Sequence, residues 1–456
     1  MLAPLWGISD SRDNHAMCRF RRQLGSLAAC ALLAACGGGG GGGGVAGGGT
    51  PPGPDAVDPS EPDEVIVKLL RATDLPDLLG QYRLTRIDQF GSRPIYRLQA
   101  PPGTDTEELA EQLRGDARVQ YAEENLIAET PEGRRRHVWA IGGDAHAYAT
   151  QWSSQALRLP EAHAVSTGTG VTVAVLDTGV DASHPALAGR IVAGFDFVDY
   201  DTDPSEVGAA GDFGYGHGTH VASLVAQVAP GARIMPIRVL DAQGRGNLWV
   251  LAEGLLHAVD PDGVPATADG AQVINLSLGT LRETELLADI IDAVDCEDDA
   301  DDDGDEPPDD DDDAVRCAAG GGAVVVSAAG NSGDTTPHYP AAEQQPGEIA
   351  VAASTEAGGL ATFSSRGEWV QLAAPGELIY GAVPGGQWAV WSGTSMAAPM
   401  VAGAAALLRS ARPSLTPSQV AARLMADAAP LCGTSLEQVD PARSLGATVA
   451  PLPMCP

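Results

Sequence analysis

Four short segments carry side chains whose types and order could do nucleophilic chemistry. They are VAVLDTGVD around Asp177, GHGTHVAS around His217, SAAGNSG around Asn331 and SGTSMAAP around Ser395. Together they supply a carboxylate, an imidazole, a side-chain amide and a hydroxyl. A serine hydroxyl is a weak nucleophile until a neighbouring imidazole takes its proton. An acid must then hold the imidazole in one tautomer, and donors must hold the oxyanion that forms on the attacked carbonyl. Asp177, His217 and Ser395 fit the acid, the base and the nucleophile. Asn331 and the Ser395 backbone amide fit the oxyanion donors. A zinc pair made by His217 and His220 is the competing chemistry, but the HExxH pattern is absent.

The elements that must position these groups follow from the flanking pattern. Residues 171–176 are a continuous apolar run, which marks a buried strand and puts Asp177 at its end. Residues 234–240, 273–278, 323–328 and 349–353 read the same way. Helical patterns follow His217, Asn247, Glu283, Ser395 and Thr416. The last opens on Thr416-Pro417-Ser418-Gln419, a capping box with proline at the first helical position. Alternating strands and helices predict an α/β domain, a parallel sheet with helices on both faces. Ser395 is expected at a helix N-terminus, where the dipole favours negative charge. Pro399 is expected in the first turn of that helix, where amides lack intrahelical partners.

The four motifs, in the chain order Asp, His, Ser, resemble those of the subtilases, the subtilisin-like serine endopeptidases. Chymotrypsin-like enzymes run His, Asp, Ser, and α/β-hydrolases run Ser, Asp, His. The resemblance covers residues 151–447. It implies a subtilisin-like fold, polypeptide substrates, an acyl-enzyme intermediate and no cofactor for catalysis. It further implies a cleft in which Gly244, Arg245 and Gly246 form an edge that pairs with an extended substrate. Ser277, Leu278 and Gly279 would face that edge and form one wall of the first specificity pocket, with Ala328, Ala329 and Gly330 as another. A bound peptide would add a strand between the two segments. Small, apolar walls suit apolar or aromatic side chains. Many subtilisins carry a calcium loop inside the helix after the catalytic histidine. HGTHVASLVAQVAPGAR lacks that insertion, so the site is not carried over.

A smaller unit precedes this domain. Residues 64–70 read as a strand, 74–82 as a short helix, 84–100 as a hairpin broken at Gly91-Ser92, and 118–128 as a closing strand. Thr104 with Glu107 resembles a capping box that opens a helix over 104–113. This order predicts a two-layer α+β domain over 64–130. It resembles the inhibitory propeptide of subtilases, whose C-terminal tail lies in the active-site cleft, so the chain's own propeptide is an expected intramolecular inhibitor. Residues 131–150 form the expected processing linker, with Arg134, Arg135 and Arg136, and 151–456 the catalytic domain.

The N-terminus reads as an export signal over 1–36, with Met17 as a candidate start and Arg19, Arg21 and Arg22 as its basic region. The apolar stretch 24–35 is too short for a permanent membrane helix. Leu33-Ala34-Ala35-Cys36 resembles a bacterial lipobox, which makes Cys36 the expected lipidation site and the outer membrane or cell surface the expected location. Secretion without an anchor is the alternative. Residues 37–63, rich in Gly and Pro, read as a flexible tether. Export permits disulfides. Cys296, Cys317, Cys432 and Cys455 allow three pairings, of which Cys296–Cys317 and Cys432–Cys455 is preferred, with free thiols as the alternative.

The net charge of −34 would repel phosphate and argues against nucleic acid as a partner. Much of it is local: residues 297–313 hold 13 acidic groups within an insertion spanning 296–317. There Asp299, Asp301, Asp303 and Asp305 resemble the start of an EF-hand-type calcium loop, although Asp310 stands where glutamate is usual. Calcium binding and a solvated acidic loop both remain open at this point. Asp199, Asp201 and Asp203 read as a turn. A monomer is expected.

Overall fold

The computed structural model describes residues 59–134, 140–264, 267–296 and 322–450. The N-terminal module is built from β1 (Ser60–Leu69), α1 (Leu75–Tyr82), β2 (Thr85–Gln89), β3 (Ile95–Gln99), α2 (Thr106–Arg114) and β4 (Val119–Glu129). Its strands lie antiparallel in the order β2-β3-β1-β4. Alternation along β1 explains the two layers. Val65, Val67 and Leu69 face the module's own helices with Leu78, Leu109 and Leu113. Ile66 faces the other way and joins a core that belongs to the larger domain. Two expectations shift here. Ser60–Asp63, assigned to the tether, already belong to β1. The cap of α2 is Asp105, whose carboxylate accepts from Glu108 N; the Thr104 hydroxyl instead donates to the Pro101 carbonyl at 2.5 Å.

In the linker that follows, Pro131–Arg134 form the short helix α3. The catalytic-type domain then lays down β5 (Thr172–Asp177), β6 (Phe195–Asp196), α4 (His217–Val228), β7 (Arg233–Arg238), β8 (Arg245–Asn247), α5 (Leu248–Val259), β9 (Val273–Leu276), α6 (Glu285–Asp295), β10 (Val324–Ala328), β11 (Glu348–Ser354), β12 (Leu372–Pro375), α7 (Thr394–Ala411) and α8 (Pro417–Ala426). The central strands run parallel in the order β12-β11-β10-β9-β5-β7-β6. Period-two alternation again sorts the core. Val173 and Val175 pack with α4 and α7 on one face, and Ala174 and Leu176 with α5 and α6 on the other.

The module docks through its second face onto α5 and α6. Phe90 meets the Trp249 ring edge-on at 5.0 Å. Helix α6 has no side-chain cap of its own, and Glu123 fills the vacancy by accepting from Glu285 N and Leu286 N at 3.0 Å each. Those amides would otherwise be orphans at a helix N-terminus. Asn125 Oδ1 accepts from Trp249 N at the start of α5 at 3.2 Å. Lys68 pairs with Asp289 at 3.0 Å. Beyond the docked face, β4 runs on into the larger domain, where Ile127, Ala128 and Glu129 pair antiparallel with Asn247, Gly246 and Arg245.

The capping box of α8 forms as read, with Thr416 accepting from Gln419 N and Gln419 returning the bond. Thr416→Ala is therefore expected to lower unfolding stability by about 1 kcal/mol, measured by denaturant unfolding. A change below a few tenths would mean that tertiary packing alone holds this helix.

Candidate active site

Asp177 and His217 are brought together by the junction of β5 and α4. The strand ends at Asp177 and the helix begins at His217, so both side chains project from the same end of the sheet. His217 Nδ1 lies 2.7 Å from Asp177 Oδ1, and both residues are buried. The Thr178 amide also donates to Asp177 Oδ1 at 2.7 Å. Close approach of the two elements needs glycine at position 218, because a Cβ there would collide with the Gly179 carbonyl. His220 is held apart, its Nε2 3.2 Å from the Ile379 carbonyl and its ring stacked on Trp391 at 5.1 Å.

Ser395 is the second residue of α7, at the helix N-terminus as expected. Pro399 is not in the first turn. The helix starts at Thr394, which places the proline in the second turn, where it lacks the N–H that would reach the Ser395 carbonyl. That carbonyl is satisfied from outside the helix, by the Ser277 hydroxyl at 3.1 Å. Asn275 Nδ2 donates to the same Ser277 hydroxyl at 3.0 Å. Asn331 is oriented by Thr394, whose amide and hydroxyl donate to Asn331 Oδ1 at 2.9 and 3.0 Å. Its Nδ2 is thereby turned towards Ser395.

These groups converge on a residue that the sequence did not single out. Glu132, in α3, places its carboxylate among them. Asn331 Nδ2 donates to Oε1 at 2.9 Å, and the Ser395 hydroxyl donates to Oε2 at 2.7 Å. His217 Nε2 lies 3.3 Å from Oε2, an ion-pair distance without good hydrogen-bond alignment. Gly393 permits this approach, since a Cβ there would overlap the Glu132 carboxylate. Burial works against the charge of Glu132, but His217, Ser395 and Asn331 outweigh it and hold its carboxyl below the ordinary value. Burial likewise works against the imidazolium, yet Asp177 and Glu132 push His217 up to about 10. The imidazole is thus protonated at neutral pH while Glu132 is in place, and it has no free lone pair with which to act as a base.

The substrate-type cleft is filled by the segment that leads to Glu132. Glu129 exchanges both backbone bonds with Gly279, at 3.1 and 3.0 Å, and the Thr130 amide donates to the Gly244 carbonyl at 3.1 Å. The tail is therefore a strand between the two expected segments. Arg245 pairs with Glu129 at 2.9 Å. Gly279 and Gly330 both back onto His338, which sequence reading also missed; a Cβ on Gly330 would meet its ring at 2.5 Å. Leu278, Ala328 and Ala329 are buried behind this wall.

Other expected sites separate into those seen and those not described. Cys296 and Cys432 are both disulfide-bonded. Cys36, Cys317, Cys455, Asp299, Asp301, Asp303 and Asp305 lie outside the described residues. The cluster at 199–203 is a turn: Asp196 accepts from the Val198 and Asp199 amides, and Arg238 pairs with Asp196 and Asp199. Among the described residues no group of three or more His, Cys, Asp or Glu could hold a metal ion.

Comparison with known proteins adds the following. A model of the subtilase family matches residues 168–447, and one of the fervidolysin N-terminal prodomain matches residues 61–125. Thermitase of Thermoactinomyces vulgaris is 37% identical over 277 residues, covering 59% of this chain and 85% of thermitase. Subtilisin E of Bacillus subtilis is 32% identical over 337 residues, covering 72% and 74%. The crystal structure of fervidolysin from Fervidobacterium pennivorans superposes with a TM-score of 0.65 at 23% identity. It is a likeness of fold, covering 87% of this chain and 62% of that one.

The docked module carries a pH signature. Burial pushes Glu123 up to about 8, against the pull of the Leu286 and Glu285 amides. Undocked, it returns towards its ordinary 4.5. Docking therefore takes up a proton between these values and weakens as pH rises through them. The share of the His217 rise that Glu132 supplies has the same sign, and carries the weakening on towards about 10. The expected outcome is a larger dissociation constant for separately produced module, tail included, at about pH 9 than at about pH 5.5, measured by calorimetry. Equal or tighter binding at the higher pH would contradict it.

Proposed function

We propose, from the premise that this chain belongs to the subtilase family, that Asp177, His217 and Ser395 are its catalytic triad and Asn331 its side-chain oxyanion donor. The chain is a serine endopeptidase made as a zymogen with a fervidolysin-like N-terminal prodomain. In the proposed mechanism His217 takes the Ser395 proton at Nε2 while its Nδ1–H stays on Asp177. The freed oxygen attacks a peptide carbonyl. Asn331 Nδ2 and the Ser395 amide hold the oxyanion, and the imidazolium then protonates the leaving amine. Water hydrolyses the resulting acyl-enzyme by the same route. Subtilases need no cofactor for these steps.

The observation that supports these roles is the grip on Glu132. A carboxylate oxygen 2.9 Å from Asn331 Nδ2 and its partner 2.7 Å from the Ser395 hydroxyl stand in for the charge that develops on an attacked carbonyl. The same grip explains silence before processing. The oxyanion donor is occupied, the nucleophile's proton points at a carboxylate, and the base is already protonated. The prodomain is thus both the intramolecular inhibitor and the first polypeptide in the cleft. In the cleft we assign Gly244, Arg245 and Gly246 to one edge, and Ser277, Leu278, Gly279, Ala328, Ala329 and Gly330 to the other edge and pocket.

For location, the basic region and the motif ending at Cys36 support export and lipid anchoring at the outer membrane or cell surface. Disulfides Cys296–Cys317 and Cys432–Cys455 fit that oxidising setting. A calcium ion on Asp299, Asp301, Asp303 and Asp305 is the further proposal that the acidic insertion supports, in a structural rather than a chemical role.

Intact mass over time tests the zymogen reading. Wild-type chain is expected to shorten by about the prodomain length, Ser395→Ala to stay uncut, and Glu132→Gln to shorten faster than wild type. Equal rates for Glu132→Gln and wild type would remove Glu132 from the silencing. Shortening of Ser395→Ala would mean that another protease does the cutting. For mature enzyme, Asn331→Ala is expected to lower kcat by about 100- to 1,000-fold with little change in KM, a magnitude taken over from loss of the oxyanion-hole asparagine in subtilisin. A kcat within threefold or so of wild type would take the oxyanion role from Asn331.

A further inference from the structure

Glu206 is a carboxyl group that the mechanism above does not use, yet it lies directly behind two members of the triad. Its Oε1 accepts from the Thr178 hydroxyl at 2.5 Å and the Gly216 amide at 3.0 Å. Its Oε2 accepts from the Thr219 hydroxyl at 2.6 Å and the Thr219 amide at 3.2 Å. Thr178 follows Asp177 directly, Gly216 precedes His217, and Thr219 is in the first turn of α4. The Thr178 hydroxyl also accepts from the Gly218 amide at 3.0 Å. One carboxylate therefore joins the turn that leaves the acid to the helix that begins with the base.

The group comes from an unusual direction. Ser205 and Val207, its chain neighbours, are exposed, so a surface loop reaches in through a single side chain. The loop backbone also leans on the same turn. Val180 N donates to the Pro204 carbonyl at 3.0 Å, and a Cβ on Gly179 would meet the Ser205 carbonyl at 2.7 Å. Asp177 is the charged group that faces Glu206; the two threonines and Gly216 present neutral donors. Burial and then the charge of Asp177 work against its ionisation and push it up to about 7, with the threonine hydroxyls and the Gly216 amide pulling the other way. A neutral tie between two segments would avoid that cost, so a carboxylate here suggests a role in the reaction.

We propose that Glu206 is a positioning residue, which fixes the Asp177 turn against the first turn of α4 so that the Asp177–His217 bond keeps its geometry once Glu132 has left the site. While the tail is docked, Glu132 and Asp177 hold the imidazole from both sides. In the open enzyme only Asp177 remains, and the frame behind it must carry the alignment. The proposal rests on the reading of Asp177, His217 and Ser395 as the triad.

The test compares mature wild type, Glu206→Ala and Glu206→Gln, and Ser395→Ala cut by an added protease that is then removed, on a chromogenic peptide, with kcat and KM followed across pH. Glu206→Ala is expected to lower kcat by about 100-fold at nearly constant KM, the cost of a small misalignment of a reacting pair. Glu206→Gln is expected to recover most of that loss, because its amide oxygen still accepts from Thr178 and Gly216. In Glu206→Ala the acidic limb of kcat/KM should move to lower pH, since a displaced Asp177 steadies the imidazolium less, and in Glu206→Gln it should return towards wild type. Unchanged kcat with only a lower melting temperature would reduce Glu206 to a structural tie and overturn the proposal. So would a loss confined to KM, or an acidic limb that does not move in Glu206→Ala. A dead Ser395→Ala beside unaffected Glu206 variants sinks this proposal alone. An active Ser395→Ala sinks the triad reading and this proposal with it. Variants that fail to mature are examined as uncut chains carrying Ser395→Ala and Glu132→Gln, so that Asp177 alone holds the imidazole, by the NMR titration of His217. There a downward shift caused by Glu206→Ala supports the proposal, and an unmoved titration overturns it.

Discussion

A buried imidazole can carry a proton only where negative charge answers it, and the site is arranged around that constraint. His217 has Asp177 on one side at 2.7 Å and Glu132 on the other at 3.3 Å. With both carboxylates in place the protonated ring is stable and chemically idle. With Glu132 gone, one carboxylate remains, and the ring can return to a value at which it exchanges protons with a serine. In the proposed reading, the step from a silent to a working base asks only for the departure of one side chain, because the strand and helix already hold Asp177 against His217.

The docking that places Glu132 is built from ordinary parts. The module's sheet covers two helices whose first amides it caps, through Glu123 and Asn125. Its last strand then crosses into the cleft and pairs on both sides, as an extended substrate would. The short helix that opens at Pro131 takes the chain off the extended path, so the Glu132 carboxylate meets the Ser395 hydroxyl. In the proposed reading, inhibition and substrate recognition draw on the same backbone groups, the Gly244 carbonyl and the Gly279 amide and carbonyl.

Much of this could be read from residue order. The apolar run before Asp177 is a strand, the glycines around His217 permit close contact with its turn, and Thr416 caps the helix it precedes. These are local signals, and local physics carries them. The position of Pro399 was misjudged because the helix start depends on Thr394, which the Asn331 amide recruits from a distant strand end. Glu132 and Glu206 were missed for a related reason. Each is one acid among many in the sequence, and only tertiary contact gives it donors. Glu132 sits in a stretch that looks like a linker, and Glu206 follows an aspartate-rich turn that looks solvated. No periodicity or spacing marks either one.

The central claim is that Glu132 holds His217 protonated in the uncut chain, and its most direct test is the NMR titration of that imidazole. Uncut chain carrying Ser395→Ala would be compared with the same chain carrying Glu132→Gln as well. The account predicts that His217 stays protonated well above neutrality in the first, and titrates at clearly lower pH in the second. Coincident titration curves would contradict it, because the imidazole would then owe its protonation to Asp177 alone.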